Sequence, residues 1–167
     1  MIGRRGVDGF RVGDLQKSGV YHVARADTME PAWTSLIGVS CQACNAASTA
    51  FDGTSILGVS TPGGVMNAMA RDTGTVSWRQ PIGDGVHYQG TSTAAGVTYT
   101  LDGNGFLDAF DASTGQPLLH RPLAQDTGAP MVQLTSSGVA IAQHTVFVAD
   151  TGSGNEGYLV AYGAGAG

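Results

Sequence analysis

Ala109-Phe110-Asp111-Ala112-Ser113-Thr114-Gly115 decides the fold of this chain, together with the strand signals on either side of it. Ahead of it, Val97-Thr98-Tyr99-Thr100-Leu101 alternates with the two-residue period of a strand, and Asp102-Gly103-Asn104-Gly105 turns the chain. Phe106-Leu107-Asp108-Ala109-Phe110 runs back, and Gly115-Gln116-Pro117-Leu118-Leu119 begins a further strand. The unit is a small antiparallel meander, with strands A to D expected near residues 90–94, 96–101, 105–111 and 117–123. Its B–C connection is rich in residues that tolerate positive φ, as tight hairpins require.

The unit repeats. Val65-Met66-Asn67-Ala68-Met69-Ala70-Arg71-Asp72-Thr73-Gly74 lies on residues 106–115 with an offset of 41, which also carries Trp78 onto Leu119 and Pro81 onto Pro122. Residues 20–28 lie on residues 65–73 with an offset of 45, carrying Trp33 onto Trp78. Tyr158-Leu159-Val160-Ala161-Tyr162 lies on residues 106–110 after a longer turn built from residues 150–157. Four units at this spacing have the length of four-stranded propeller blades. The expected fold is all-β: a partial β-propeller of about four four-stranded antiparallel blades, near residues 6–40, 46–84, 90–124 and 130–163, in one domain spanning residues 1–167. No twelve-residue window keeps a helical apolar stripe free of glycine or proline, so almost no helix is expected. Val139-Ala140-Ile141-Ala142 and Thr145-Val146-Phe147-Val148-Ala149 read as two strands joined by Gln143-His144.

Composition agrees and narrows the function. The 26 glycines and 13% charged residues fit a turn-rich chain, and 42% hydrophobic residues supply a core. A net charge of −5 argues against a nucleic-acid or anionic-membrane surface. No apolar run reaches the length of a membrane span, and Arg4 and Arg5 are followed by no apolar segment of a signal peptide.

Ala68-x-Ala70-x-x-x-Gly74-x-x-x-Trp78 resembles the tryptophan-docking motif of the pyrroloquinoline-quinone (PQQ)-like propellers. Val23-x-Arg25-x-x-x-Met29-x-x-x-Trp33 and Ala109-x-Asp111-x-x-x-Gly115-x-x-x-Leu119 are imperfect copies, and only the third unit keeps the motif's aspartate. The resemblance implies structural blade-docking roles for Trp33, Trp78, Gly74, Gly115 and Asp111. The family includes quinoprotein dehydrogenases, which hold PQQ and calcium over the central channel, and non-enzymatic propellers such as the outer-membrane-assembly lipoprotein. Its rings have seven or eight blades, so four units imply either a fragment of a longer chain or a protein partner, such as a second copy, that completes the ring. The resemblance further implies a periplasmic or secreted location. The expected function is a binding or scaffold module. The alternative is the C-terminal part of a PQQ- and calcium-dependent alcohol or sugar dehydrogenase.

If strands A to D run up and down in order, the D–A and B–C connections share one face, which in this family carries the cofactor or partner site. His87, Tyr88, Gln89 and Asp126 are the candidates there. Cys41-Gln42-Ala43-Cys44 is the sharpest local signal. Asn45 stands where haem attachment needs histidine, no second ligand pair points to zinc, and no βαβ pattern supports a redox dithiol. A disulfide bracing a long loop, or two free thiols, remain. PQQ dehydrogenases often carry a disulfide between adjacent cysteines beneath the cofactor, a spacing this chain lacks. Asp102, Asn104, Asp150 and Asn155 do not match a calcium loop and read as turn residues. His22, His120 and His144 lie in or beside strands with no partner pattern, and no catalytic triad or paired carboxylates can be assembled. PQQ and calcium therefore enter only through the resemblance.

Overall fold

The computed structural model describes residues 9–42, 44–61, 63–83, 87–130, 138–152 and 156–163. Four antiparallel sheets follow one another along the chain. Sheet I holds β1 (Arg11–Leu15), β2 (Val20–Arg25) and β3 (Pro31–Leu36). Sheet II holds β4 (Ala50–Phe51), β5 (Ser55–Ser60), β6 (Val65–Ala70) and β7 (Val76–Pro81). Sheet III holds β8 (Ser92–Ala94), β9 (Val97–Leu101), β10 (Phe106–Asp111) and β11 (Pro117–Pro122). Sheet IV holds β12 (Val139–Ala142), β13 (Thr145–Thr151) and β14 (Gly157–Gly163). One helical turn, α1 (Ala124–Thr127), follows β11.

Sheets II and III have the four strands expected. Sheets I and IV have three among the described residues, a departure from the uniform four-stranded expectation. The sequence offsets place β1 to β3 at strands B, C and D, and β12 to β14 at A, B and C. Sheet I therefore lacks an A strand and sheet IV a D strand among the described residues.

Each complete C–D corner is closed by the same pair of backbone bonds. The Gly74 amide donates to the Ala70 carbonyl and Ala70 to Thr75; Gly115 donates to Asp111 and Asp111 to Gln116. Asp111 adds a cap, its carboxylate accepting from the amides and hydroxyls of Ser113 and Thr114. Just after each corner the D strand carries a bulge at the equivalent place: the register against strand C shifts between Val23 and Ala24, Ala68 and Met69, and Ala109 and Phe110, which leaves Ala32, Ser77 and Leu118 as the extra residues. A bulge re-aims the side chains beyond it, and the residues that follow are Trp33, Trp78 and Leu119.

Each indole crosses to the following sheet. Trp33 Nε1 donates to the Arg71 carbonyl at 2.9 Å, and Trp78 Nε1 donates to the Ala112 carbonyl at 3.0 Å. The rings lie on the glycine of the next corner. Gly74 and Gly115 have φ of 70° and 76°, and a Cβ on Gly115 would stand 2.5 Å from Trp78 Cε3. Glycine is needed there twice over, for the left-handed backbone and for the space.

Between consecutive sheets the core is continuous. Leu15, Tyr21 and Val23 meet Met69, with Trp33, Ile56 and Val76 packed around them. Val59 and Met66 meet Phe110, and Leu57 and Ala68 meet Ala112, both groups beneath Trp78. Leu101 and Leu107 meet Val139 and Val148. At this last junction Leu119 replaces tryptophan, and polar contacts add the tie: Arg121 pairs with Asp126 of α1, which also accepts the Tyr162 hydroxyl at 2.6 Å. The Arg121 hydrogen bond holds Asp126 down at about 2; burial, then the bond to Asp126, pushes Tyr162 up to about 12.

Removing an indole should loosen two sheets at once. In denaturant titrations Trp78→Ala is expected to cost about 3–5 kcal/mol. Gly115→Ala, which adds a Cβ against that indole at positive φ, should cost about 1–3 kcal/mol. Leu118→Ala, at an exposed position on β11, should stay within about 0.5 kcal/mol of the parent.

Candidate functional site

The D–A and B–C connections do share one face, and backbone contacts knit them together. The amides of Ile37 and Gly38 donate to the Gly19 carbonyl, Cys41 to Lys17, Ile82 to Gly64, and Leu123 to Gly105. The first connection, residues 37–47, is the most constrained. A disulfide joins Cys41 to Cys44. Next to it Asn45 adopts φ of 56°, a left-handed conformation that asparagine tolerates better than most side chains. Its amide donates to Thr61 Oγ1 at 2.7 Å, its Oδ1 accepts the Thr61 amide at 2.9 Å, and its Nδ2 donates to the Val39 carbonyl. One buried side chain thereby ties the first D–A connection to the B–C turn of the next sheet and to its own loop. What this loop presents to solvent is Val39, 57% exposed, beside Ser40, Cys41 and Gln42.

The four sequence candidates are not brought together at an open mouth. His87 and Gln89 are fully buried, and Tyr88 is half-buried. His87 occupies a slot that exists because Gly64 has no side chain: a Cβ there would stand 2.5 Å from His87 Nε2. Neither ring nitrogen has a hydrogen-bond partner among the described residues, and burial lowers the imidazole to about 4, so it is neutral at physiological pH. Gln89 Oε1 accepts the Tyr88 amide. Asp126 belongs to the Arg121–Tyr162 tie described above. Asp84, Gly85 and Val86 of the same connection, with Asn155 of the fourth unit, lie outside the described residues.

His120, read from sequence as lacking a partner, has one. Its Nδ1 lies 2.6 Å from Asp108 Oδ1, and its ring stacks on Phe106 with centroids 4.4 Å apart. The pairing follows from register, since Asp108 lies directly opposite His120 on β11 and Thr100 on β9. Asp108 is buried against sheet II, and its Oδ2 has no partner among the described residues. Burial raises this carboxyl to about 6, against the lowering effect of the His120 bond. In sheet II the equivalent position is Asn67, also fully buried. Asp102 caps its own turn by accepting the amides of Asn104 and Phe106, and Asp150 accepts the Thr151 amide.

These groups do not fit PQQ and calcium. Among the described residues no three His, Cys, Asp or Glu side chains converge on a metal-sized site, and the disulfide spans three positions rather than adjacent cysteines. A cavity of about 600 Å³ lies elsewhere, between sheets I and II on the side of the A–B and C–D corners, lined by Phe10, Val12, Tyr21, Phe51, Ile56 and Asp72.

Asp108 generates a pH prediction. A carboxyl at about 6 when folded and about 3.8 when unfolded binds more protons folded than unfolded between those values. Its contribution to stability is therefore present at low pH and lost as pH rises through about 6. His87 acts oppositely: unfolded it protonates near 6.5, folded near 4, so its effect weakens the fold as pH falls through that window. The two slopes offset each other in the parent protein. Asp108→Asn, the residue that sheet II already uses, should gain stability relative to the parent by on the order of 2–3 kcal/mol between pH 4 and pH 7. Denaturant midpoints measured across that range check it, and an unchanged difference between variant and parent would refute it.

No family model and no curated protein matches the chain. Among solved structures it is similar to BamB from Moraxella catarrhalis, at 16% identity and a TM-score of 0.65, covering 91% of this chain and 42% of that one. It is similar to the computationally designed Ika4 protein at 11% identity and a TM-score of 0.70, covering 92% of this chain and 86% of that one. It is also similar to quinohemoprotein alcohol dehydrogenase from Comamonas testosteroni, at 16% identity and a TM-score of 0.65, covering 89% and 30%. The chain thus spans under half the length of BamB and about a third of the dehydrogenase, and is close in length to the designed protein. Four consecutive antiparallel sheets packed face to face, alike in BamB and the quinoprotein dehydrogenases, give this chain the fold of a partial PQQ-like β-propeller.

Proposed function

We propose that this chain is a non-enzymatic PQQ-like propeller segment, one domain of four blades, that serves as a binding or scaffold module through its D–A and B–C loop face. The observation that carries the reading is the immobilised first connection. A disulfide, a three-bonded buried asparagine and backbone bonds to the neighbouring turn hold a loop whose outward feature is an apolar side chain, Val39. Rigidity of this kind lowers the ordering cost of association, and catalysis has no use for it without reacting groups nearby. His87, Gln89 and Asp126, the polar groups that could have supplied chemistry, are buried or committed to internal bonds. In this reading Trp33, Trp78, Gly74, Gly115 and Asp111 are blade-docking residues, and the partner is a protein. The disulfide favours a periplasmic or secreted setting, where such bonds persist. No helix among the described residues is long and apolar enough to cross a membrane.

Two measurements test the proposal. Titration with PQQ plus calcium should leave the absorption spectrum and melting temperature unchanged; stoichiometric binding with dye reduction would replace the module by a dehydrogenase. A photo-crosslinking residue at Val39 should give discrete adducts in extract from the source cells, and one at Thr114 on the opposite side should give none. Equal labelling from both positions would remove the loop face as the recognition surface.

A further inference from the structure

The junction between sheets I and II differs from the two that follow it at one position. Cross-strand pairing sets Gly13 opposite Val23, Leu57 opposite Ala68 and Tyr99 opposite Ala109, and the repeat offsets carry Val23 onto Ala68 and then Ala109. Gly13, Leu57 and Tyr99 therefore hold the same place in three successive sheets. Leu57 is fully buried between sheets II and III, and Tyr99 packs against the core between sheets III and IV. Between sheets I and II the glycine omits that side chain, and the cavity of about 600 Å³ lies beside it. Tyr21 and Val23 lean over the glycine, where a Cβ would stand 2.8 Å from Tyr21 Cε1.

The wall of this cavity is apolar and its polar atoms are satisfied. The buried Tyr21 hydroxyl is bonded to Thr49 Oγ1 at 2.8 Å, and Val23 and Ile56 add hydrocarbon. At the rim stand two phenyl rings, Phe10 and Phe51, 55% and 52% exposed. Phe51 lies directly across from Ile56 on β5, which puts both on one face. Single exposed apolar side chains are ordinary on a protein surface, but two rings around one concavity of ligand size point to a binding site.

The charged residues that line the cavity carry one positive charge in excess. Asp72 is engaged at both oxygens: Oδ1 accepts from Arg11 Nη1 at 3.1 Å and from Arg71 Nε at 3.0 Å, and Oδ2 accepts from Arg71 Nη2 at 3.1 Å. Arg11 Nη1 also donates to the Arg71 carbonyl, so this side chain crosses from sheet I to the corner of sheet II at the cavity's edge. Its Nε and Nη2 donate to no group among the described residues. Neighbouring charges are turned elsewhere, with Arg25 paired to Asp27 and Asp52 accepting the amides of Thr54 and Ser55.

We infer that this cavity binds a small amphiphile with a flat aromatic body and one carboxylate. The body lies among the rings of Phe10, Tyr21 and Phe51, where offset and edge-on ring contacts are favourable, and the carboxylate meets the Arg11 guanidinium. A cationic head group is disfavoured, because the one carboxylate at the rim is already shared by two arginines. The site lies on the opposite side of the sheets from the D–A and B–C loops, so it does not depend on the loop-face reading above.

Calorimetric titration of the intact chain with three probes of one shape tests the inference. Naphthoate should bind with a Kd on the order of 0.1–1 mM, as suits a ligand of its size. Naphthamide, its neutral counterpart, should bind about tenfold more weakly, and the cationic naphthylmethylamine more weakly still. Arg11→Gln should bring naphthoate down to the affinity of naphthamide and leave naphthamide unchanged, whereas Arg11→Lys should keep a preference for the carboxylate. Phe51→Ala should weaken both probes alike, by roughly threefold to tenfold. Leu118→Ala, at an exposed position on β11, should bind as the parent does. Unchanged circular dichroism and melting temperature in each variant would separate loss of binding from loss of fold. No saturable heat up to about 10 mM naphthoate, equal binding of the acid and the amide, or an Arg11→Gln chain that keeps the carboxylate preference would each overturn the site. Self-association of the parent that Phe51→Ala abolishes, with no binding of naphthoate, would give the cavity to a second copy instead.

Discussion

The packing of these blades depends on an indole resting on a glycine of the next sheet. Neither half works alone. The glycine must be left-handed so that the corner closes with its two backbone bonds, and it must lack a Cβ so that the ring can lie flat. The indole must reach across at the right angle, which the bulge just before it in its own strand provides, and its N–H must find the corner's carbonyl. Burial of an aromatic of this size contributes about 2–3 kcal/mol. More important is that the contact joins two sheets, neither of which can bury both faces by itself.

Where the indole is missing, the chain compensates differently. Between sheets III and IV, Leu119 stands at the tryptophan position and is 37% exposed. The junction instead uses an aliphatic core and an ionic tie of Arg121, Asp126 and Tyr162 at the rim. The tie is solvent-exposed, so it orients the sheets more than it stabilises them. The Ser92 hydroxyl, donating to the Val139 carbonyl, links the two inner strands on the other side. Adhesion at this junction thus comes mainly from Leu101, Leu107, Leu123, Val139 and Val148, five apolar side chains that exclude water.

Much of this was legible in the sequence, because the features that set the architecture are local and repeated. Offsets of 41 and 45 residues, turn residues at fixed places and tryptophan four positions after the corner residue all follow from single-strand chemistry. What escaped depends on pairing. His120 looked unpartnered because its partner, Asp108, is twelve positions away and meets it only through cross-strand register. His87 and Tyr88 read as candidates for a polar site on the D–A face, whereas the absence of a side chain on Gly64, more than twenty positions earlier, opens the slot that buries the imidazole. Asn45 was read only as the residue that excludes haem attachment. Its left-handed backbone and its bonds to Thr61 become visible only when the two connections are side by side.

The two sides of the blades consequently carry different burdens. The C–D corners are committed to adhesion: in sheets II and III the corner's glycine and carbonyl receive the indole of the preceding sheet, and in sheet III capping hydroxyls hold the corner itself. Any substitution there is read first as a loss of packing. The D–A and B–C connections are held from beneath by buried groups, Asn45, His87 and Gln89, whose side chains point away from solvent. A surface supported in that way can change its outer residues, such as Val39 or Gln42, at little cost to the fold. That freedom on one face is created by the constraint on the other, since corners that already fix the blade geometry leave the connections nothing to do but span it.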